Sequence, residues 1–140
     1  MQDKPVFEHS LTVPFQDIDA AGVVFYAHLF RYAHEAYEHF MQQIGCSLQE
    51  LLAEGSYLLP LVHAEADYRR PLRHGDKLHL ELRLEKLGQT SFTLGYRVLG
   101  EDRTEHARLE TVHVALDRTT QRPLILPDTL REAMHRCNPN

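Results

Sequence analysis

The chain has 140 residues, of which 43% are hydrophobic and 25% are charged, and its formal net charge is −5. This composition is typical of a single globular domain, here residues 1–140, and excludes disordered, collagen-like and coiled-coil proteins. The negative charge disfavours attraction to phosphate backbones, so nucleic acid is not an expected partner. The longest run without a strongly polar residue, 20–27, is too short to cross a bilayer, and the first residues lack an apolar secretory segment. We therefore expect a cytoplasmic protein that does not bind membranes.

The first half of the chain changes from a strand pattern to a helix pattern. Apolar residues at alternate positions predict a β-strand over residues 6–16, with His9 in phase with its inward side. After a turn at 17–22, apolar residues recur every three or four positions from Leu29 to Ile44, which predicts one long amphipathic helix. Gly45 is placed to end this helix, and Ser47 to cap a short second one.

The second half of the chain repeats the strand pattern. Alternating apolar residues predict strands around 62–68, 78–84, 92–98 and 112–116, the last with Val112, Val114 and Leu116 as its apolar residues, and a final surface helix is expected over 127–136. The connections are too short for parallel crossovers, so neighbouring strands should be antiparallel. The predicted fold class is α+β, with a five-stranded antiparallel sheet wrapped around one long central helix.

The junction between the first strand and the long helix carries the most informative motif, Asp17-Ile18-Asp19-Ala20-Ala21-Gly22-Val23-Val24-Phe25-Tyr26. Small residues there allow a ligand to approach the backbone, and free amides at a helix start attract negative charge. From the residues alone two interpretations stay open. Asp19 either caps the helix or takes part in catalysis.

Other common hydrolytic and binding motifs do not fit this sequence. His34 and His39 are five positions apart, whereas a helical zinc motif needs four to place both rings on one face, so no metal is expected. The chain contains no Gly-x-Ser-x-Gly elbow, no Gly-rich phosphate loop and no Cys-x-x-Cys pair.

The junction motif, followed by Glu35 on the helix, resembles the signature of the 4-hydroxybenzoyl-CoA thioesterase-like clade of hotdog enzymes. Pro71 with Gly75-Asp76 before a strand is similar to a turn of the same family, and segments 34–38 and 59–64 most resemble 1,4-dihydroxy-2-naphthoyl-CoA thioesterases. The resemblance implies a hotdog fold and hydrolysis of an aryl-CoA to free acid and CoA. Alternatives are a short- or medium-chain acyl-CoA substrate, a non-catalytic acyl-CoA-binding protein, or a hotdog hydratase.

The resemblance also implies roles for individual residues. Asp19 is expected to be the catalytic carboxylate, as a general base or as a nucleophile, and Asp17 is the weaker candidate. The backbone N–H near Tyr26 is expected to polarise the thioester carbonyl. Glu35 is expected to orient a catalytic group, although an exposed ion pair with Arg31 is equally natural. A thioester is already activated, so this chemistry needs no cofactor and no metal.

Substrate binding is expected to involve both sides of the thioester. His63 either faces solvent or lines the acyl pocket. Family members can hold CoA phosphates with a basic cluster in the turn after the third strand, where this chain offers one basic residue. A denser basic patch, formed by Arg69, Arg70, Arg73 and His74, could replace it, or could simply be solvated. The expected substrate-binding residues are Gly22, Val23, His63, Arg69, Arg70, Arg73 and Lys86. The working unit is expected to be a homodimer or homotetramer whose active sites are built from two chains.

Overall fold

The computed structural model describes residues 4–138, which form strands β1 to β7 and helices α1 to α3. The strands are β1 (Phe7–Thr12), β2 (Tyr57–Leu58), β3 (Leu61–Tyr68), β4 (Lys77–Leu87), β5 (Ser91–Leu99), β6 (Glu105–Val114) and β7 (Leu116–Asp117). The helices are α1 (His28–Gln43), α2 (Leu48–Glu54) and α3 (Asp128–Cys137). None of the helices within residues 4–138 is long and apolar enough to span a membrane.

The main sheet has five antiparallel strands in the order β1-β4-β5-β6-β3, so β1 and β3 are its two edges. This confirms the predicted strand number and direction. A second, two-stranded ribbon of β2 and β7 was not predicted. Its strands of two residues are too short to show an alternating pattern.

The core lies between the sheet and α1. As predicted, the alternating apolar residues of β4 and β5 are buried: Leu78, Leu80, Leu82, Leu84, Phe92, Leu94, Tyr96 and Val98. Helix α1 has 16 residues and buries one side, including Leu29, Ala36 and Phe40. The Phe7 ring of β1 lies 6.1 Å from the Phe40 ring, so the inward side of β1 packs on α1. Wrapping of the whole sheet around one long helix stays a prediction.

Helix boundaries follow the local sequence signals. Gly45, directly after the C-cap of α1, has φ +83°, a conformation that glycine adopts without strain. The Ser47 side chain accepts a hydrogen bond from the Glu50 N–H and caps α2, as predicted. Helix α3 begins and ends within one residue of the expected range.

The first strand is shorter than predicted. Strand β1 ends at Thr12, and Phe15–Asp17 form a short 3-10 turn instead. Pro14 has no N–H to donate to a ladder, which explains why pairing with β4 does not continue. Of the two apolar residues in the alternation beyond Thr12, Val13 is buried and Phe15 is 74% exposed, so the predicted inward side ends at Val13.

The inward residues of β6 also differ from the prediction. Leu109, Thr111 and His113 are buried, whereas Val112 and Val114 are half-buried. In the ladder His113 lies opposite Phe92, and directly opposed side chains share one face of a sheet. The valines marked a strand correctly but did not identify its buried face.

Strand β3 has no buried face in the single chain. Only Ala66 is half-buried, and Leu61 and Val62 are 52% and 58% exposed. Because β3 is an edge strand, its outer N–H and C=O groups are also available for pairing with another strand.

Candidate active site

Asp19 opens a tight turn in the loop before α1. The Gly22 N–H donates to the Asp19 carbonyl at 3.0 Å, and the Asp19 N–H donates to the Val23 carbonyl at 2.9 Å. Oδ1 of the Asp19 side chain accepts from the N–H of Ala21 at 2.8 Å and of Val23 at 3.4 Å. Gly22 has φ +82°, which favours glycine at this position of the turn.

The Asp19 side chain therefore caps its own turn, not the helix. Helix α1 begins at His28, and its N-cap residue Ala27 supplies no side-chain bond. This overturns the expectation that Asp19 could be a helix cap. Among residues 4–138, Oδ2 of Asp19 has no hydrogen-bond partner, so one carboxylate oxygen is available for chemistry.

Asp17 has a different environment. Its side chain is 3% exposed, and Oδ2 accepts hydrogen bonds from the Tyr32 hydroxyl at 2.6 Å and from the Arg31 guanidinium. Burial acts to raise the pKa of the Asp17 carboxyl, but the hydrogen bonds from Tyr32 and Arg31 outweigh burial and hold this pKa below its ordinary value. Asp17 is thus a buried carboxylate with a structural role, whereas the Asp19 carboxylate keeps one oxygen free.

Tyr26 lies in the loop, two residues before the start of α1. Its N–H, like that of Ala27, has no acceptor in the part of the chain that the structure describes. The Tyr26 carbonyl accepts hydrogen bonds from the Tyr68 hydroxyl at 2.8 Å and from the Leu29 N–H at 3.3 Å. A free N–H beside a helix start can bind an oxyanion.

The connection between β3 and β4 lies directly beside this loop. The Val24 N–H donates to the Leu72 carbonyl at 2.8 Å, and Tyr68, the last residue of β3, reaches Tyr26. The basic patch begins at Arg69, directly after Tyr68, which contacts the candidate site. Sequence distance did not reveal this neighbourhood, because the loop and the connection are more than 40 residues apart.

The arginines of the basic patch differ in whether their guanidinium groups are already paired. Arg69 forms an ion pair with Glu105, with Nε 3.1 Å from Oε2. The exposed guanidinium groups of Arg70 and Arg73 form no ion pair with residues 4–138, although the Arg73 backbone N–H bonds to Asp76. Two of the three predicted phosphate ligands are therefore unengaged.

Three other predicted site residues lie elsewhere. Glu35 accepts from His9 Nε2 at 3.1 Å, and the alternative ion pair with Arg31 is absent because Arg31 binds Asp17. His63 is exposed on β3 and pairs with Glu65 at 3.1 Å. Lys86 lies at the far end of β4, about 30 Å along the strand from Lys77, so it does not reach the Asp19 loop of its own chain.

An aromatic patch that no sequence pattern predicted lies next to the candidate site. Phe25, Tyr26 and Tyr68 are 42%, 64% and 49% exposed, and the Phe25 and Tyr26 rings lie 4.7 Å apart. Large exposed aromatic surfaces typically bind ligands or partner proteins. Phe25 and Tyr26 follow the motif directly, but only the fold brings Tyr68 to them.

The model of the thioesterase-like superfamily matches residues 13–134, which include the Asp19 turn, the Tyr26 loop and the basic connection. The chain belongs to this superfamily. A 1,4-dihydroxy-2-naphthoyl-CoA hydrolase of Synechococcus elongatus is 38% identical over 127 residues, 90% of this chain and 93% of the relative. A hydrolase of the same name from Thermosynechococcus vestitus is 32% identical over 130 residues, 93% of this chain and 89% of the relative.

Solved thioesterase structures have the same fold. A 1,4-dihydroxy-2-naphthoyl-CoA thioesterase from Synechocystis superposes with a TM-score of 0.86 at 31% identity, covering 91% of this chain and 94% of the other. A gentisyl-coenzyme A thioesterase superposes with a TM-score of 0.82 at 25% identity, covering 89% and 99%. The predicted α+β, hotdog-type thioesterase fold is thereby confirmed.

Proposed function

We propose that this thioesterase hydrolyses an aryl-CoA of the dihydroxynaphthoyl type, with Asp19 as its catalytic carboxylate. The observation that carries the proposal is the arrangement of Asp19, whose Oδ1 is held by two backbone N–H groups while Oδ2 stays free. Fixing one oxygen aims the other, because the turn restricts rotation of the side chain.

The chemistry requires an acceptor for a proton and a donor for the oxyanion. Oδ2 of Asp19 takes a proton from a water that attacks the thioester carbonyl, or attacks that carbonyl itself to form a mixed anhydride that water then hydrolyses to the free acid. The free Tyr26 N–H donates to the carbonyl oxygen as negative charge develops on it. The C–S bond then breaks, and the CoA thiolate leaves without assistance from a metal.

The aromatic patch favours an aryl group over a short alkyl chain. Aromatic rings stack on other rings in offset or edge-to-face geometry, and each such pair contributes roughly 1 kcal/mol beyond the burial of area. Phe25 and Tyr26 lie in the loop that carries Asp19 and Tyr68 contacts that loop, so three exposed rings belong to this region. The names of the two cyanobacterial relatives support the same substrate class.

The free guanidinium groups of Arg70 and Arg73 are proposed to bind the CoA phosphates. They follow Tyr68 in a connection that contacts the loop at Val24. Arginine forms charge-assisted, bidentate hydrogen bonds with phosphate, which suits it to this role. Gly22 and Val23 are proposed to contact the bound thioester through their backbone atoms in the turn.

A second copy of the chain is proposed to complete the site. The aromatic patch is open to solvent, and β3, which carries Tyr68, is an exposed edge strand with apolar residues on its surface. Pairing of two β3 edges would join two sheets and cover this patch. His63 and Lys86, which are remote from Asp19 in one chain, would contribute to substrate binding only in such an assembly.

A substrate panel tests the proposal. Release of CoA thiol is followed colorimetrically with 1,4-dihydroxy-2-naphthoyl-CoA, benzoyl-CoA, a short acyl-CoA and a medium-chain acyl-CoA. We expect the highest kcat/KM with the dihydroxynaphthoyl ester. Faster turnover of the alkyl esters would overturn the aryl assignment, and binding of all four without thiol release would indicate a non-catalytic acyl-CoA-binding protein.

A further inference from the structure

Three potential metal ligands converge where β1 crosses α1, on residues that the proposed reaction does not need. His9 lies on the inward side of β1, and Glu35 and His39 are one helical turn apart on α1. His9 Nε2 lies 3.1 Å from Glu35 Oε2, and the His9 and His39 rings stack with centroids 4.6 Å apart. One ligand atom from each residue falls within 4.8 Å of the other two.

We propose that His9, Glu35 and His39 form a binding site for a divalent transition-metal ion of the Zn²⁺ type. Two imidazoles and one carboxylate are a common ligand set for zinc, with a remaining position filled by water. The sequence pattern pointed away from zinc because it paired His39 with His34. In the fold the second imidazole beside His39 comes from His9, which is distant in sequence, and not from His34.

The distances are close to what coordination requires. Tetrahedral ligand atoms bound at 2.0–2.2 Å lie about 3.4 Å from one another. His9 and Glu35 nearly satisfy this separation already. The His39 ligand atom lies within 4.8 Å of the other two, so a shift of at most about 1.4 Å brings it to this separation, and the exposed side chain of His39 permits that movement.

The local charges also favour a cation. Glu35 contributes one negative charge. His9 is shielded, with 15% of its side chain exposed, so one ligand is held in place by the packing of β1 on α1.

Metal binding would connect the edge strand to the helix. Strand β1 pairs in the main sheet with β4 alone. An ion shared by His9, Glu35 and His39 would cross-link β1 to α1. It would raise the melting temperature, because a ligand that binds only the folded state stabilises that state.

Zinc titration of the untagged full chain tests this proposal. Calorimetry with ZnCl₂ should show one tight site per chain, and binding of Co²⁺ should give the visible absorption of four-coordinate cobalt. His39→Asn should weaken zinc binding at least about tenfold, since even changes next to direct ligands cost 10- to 100-fold. Because His39 is exposed, its substitution leaves the packing of the core unchanged, and the variant should fold like the wild type.

Matched variants separate this site from other histidines. His34→Asn changes an exposed histidine on the same helix, and His63→Asn disrupts a second group of possible ligands, His63, Glu65 and Glu110. Both variants should bind zinc like the wild type and show the same zinc-dependent rise in melting temperature, which His39→Asn should lose. Unchanged affinity in His39→Asn, or an equal loss in either control, would overturn the assignment. None of these readouts depends on the proposed enzymatic activity.

Discussion

The Tyr32 hydroxyl donates a 2.6 Å hydrogen bond to Oδ2 of Asp17, and so ties the junction loop to α1. Arg31 binds the same oxygen from the neighbouring position of the helix. This relationship removes Asp17 from the candidate chemistry, because its carboxylate is buried and already satisfied. Asp19, two residues further, keeps one oxygen free on a loop that Asp17 helps to position.

Asp19→Asn should lower catalytic activity without changing the stability of the fold. The amide oxygen of Asn can still accept from the N–H groups of Ala21 and Val23, so the turn should be kept, while the negative charge and proton acceptor are lost. We expect kcat to fall at least ~10²-fold, the lower end of the effect of a positioned base, with an unchanged melting temperature. Thiol release and thermal unfolding measure the two quantities.

Asp17→Asn is the matched control for that variant. It weakens charge-assisted bonds to Tyr32 and Arg31, so the free energy of unfolding should decrease by about 2 kcal/mol while kcat falls much less than in Asp19→Asn. Equal losses of kcat in the two variants, or full activity of Asp19→Asn, would remove Asp19 from the catalytic role.

Reversal of charge at Arg70 and Arg73 should raise KM for the CoA ester and leave kcat nearly unchanged. Contacts with remote phosphates act equally on the ground state and the transition state, so they contribute uniform binding. Arg122→Glu, at an exposed arginine outside the β3–β4 connection, controls for the change in net charge. A KM that stays constant at low ionic strength would show that the patch is merely solvated.

Introduction of a charge on the β3 edge should dissociate the proposed dimer. Val62 is 58% exposed on β3, and a lysine there opposes pairing of two edges. Val62→Lys should sediment as a monomer with reduced thiol release, whereas Ile125→Lys, at another exposed apolar residue off the main sheet, should behave as the wild type. A wild-type chain that sediments as a fully active monomer would contradict the two-chain site.

His113 should make stability depend on pH. Its ring stacks against those of Tyr37 and Phe92, with centroid distances of 4.4 and 5.2 Å, and neither ring nitrogen makes a hydrogen bond of normal geometry within residues 4–138. Burial lowers the pKa of His113 to about 4. The unfolded chain, with a histidine pKa near 6.5, therefore binds more protons between these values.

The folded state should therefore lose stability as the pH falls. The free energy of unfolding should be unaffected by His113 above pH 6.5 and should decrease as pH falls towards 4, by about 3 kcal/mol in total. His113→Phe, which keeps a ring in the stack, should reduce this slope in denaturant titrations, whereas His135→Asn at an exposed histidine should not. Parallel pH profiles of wild type and His113→Phe would refute the prediction.

Extensive chelation should separate the reaction from the proposed metal site. Thiol release should persist, because a carboxylate and a backbone N–H are sufficient for an activated thioester. The melting temperature should fall if the chain was purified with metal bound at His9, Glu35 and His39. Loss of activity that a single divalent ion restores would show that the reaction itself needs a metal.

Local patterns in the sequence determined most of the secondary structure and the location of the candidate chemistry. The strict alternation of leucines in β4 predicted its buried face, because successive side chains of a strand point to opposite sides. Gly45 and Ser47 marked helix ends through backbone conformation and capping, which depend on neighbouring residues only. The junction motif placed Asp19 and Tyr26 in one loop for the same reason.

Only the tertiary structure decided which partners these residues have. Asp17 and Asp19 are the same residue type two positions apart, and their different environments depend on Tyr32 and Arg31, which packing of α1 brings to Asp17. The register of β6 against β5, and not its own pattern, buried His113 opposite Phe92. Contacts such as Tyr68 with Tyr26 and His9 with Glu35 join segments that are distant in sequence. Such contacts arise from the packing of whole elements, which no periodicity within one segment encodes.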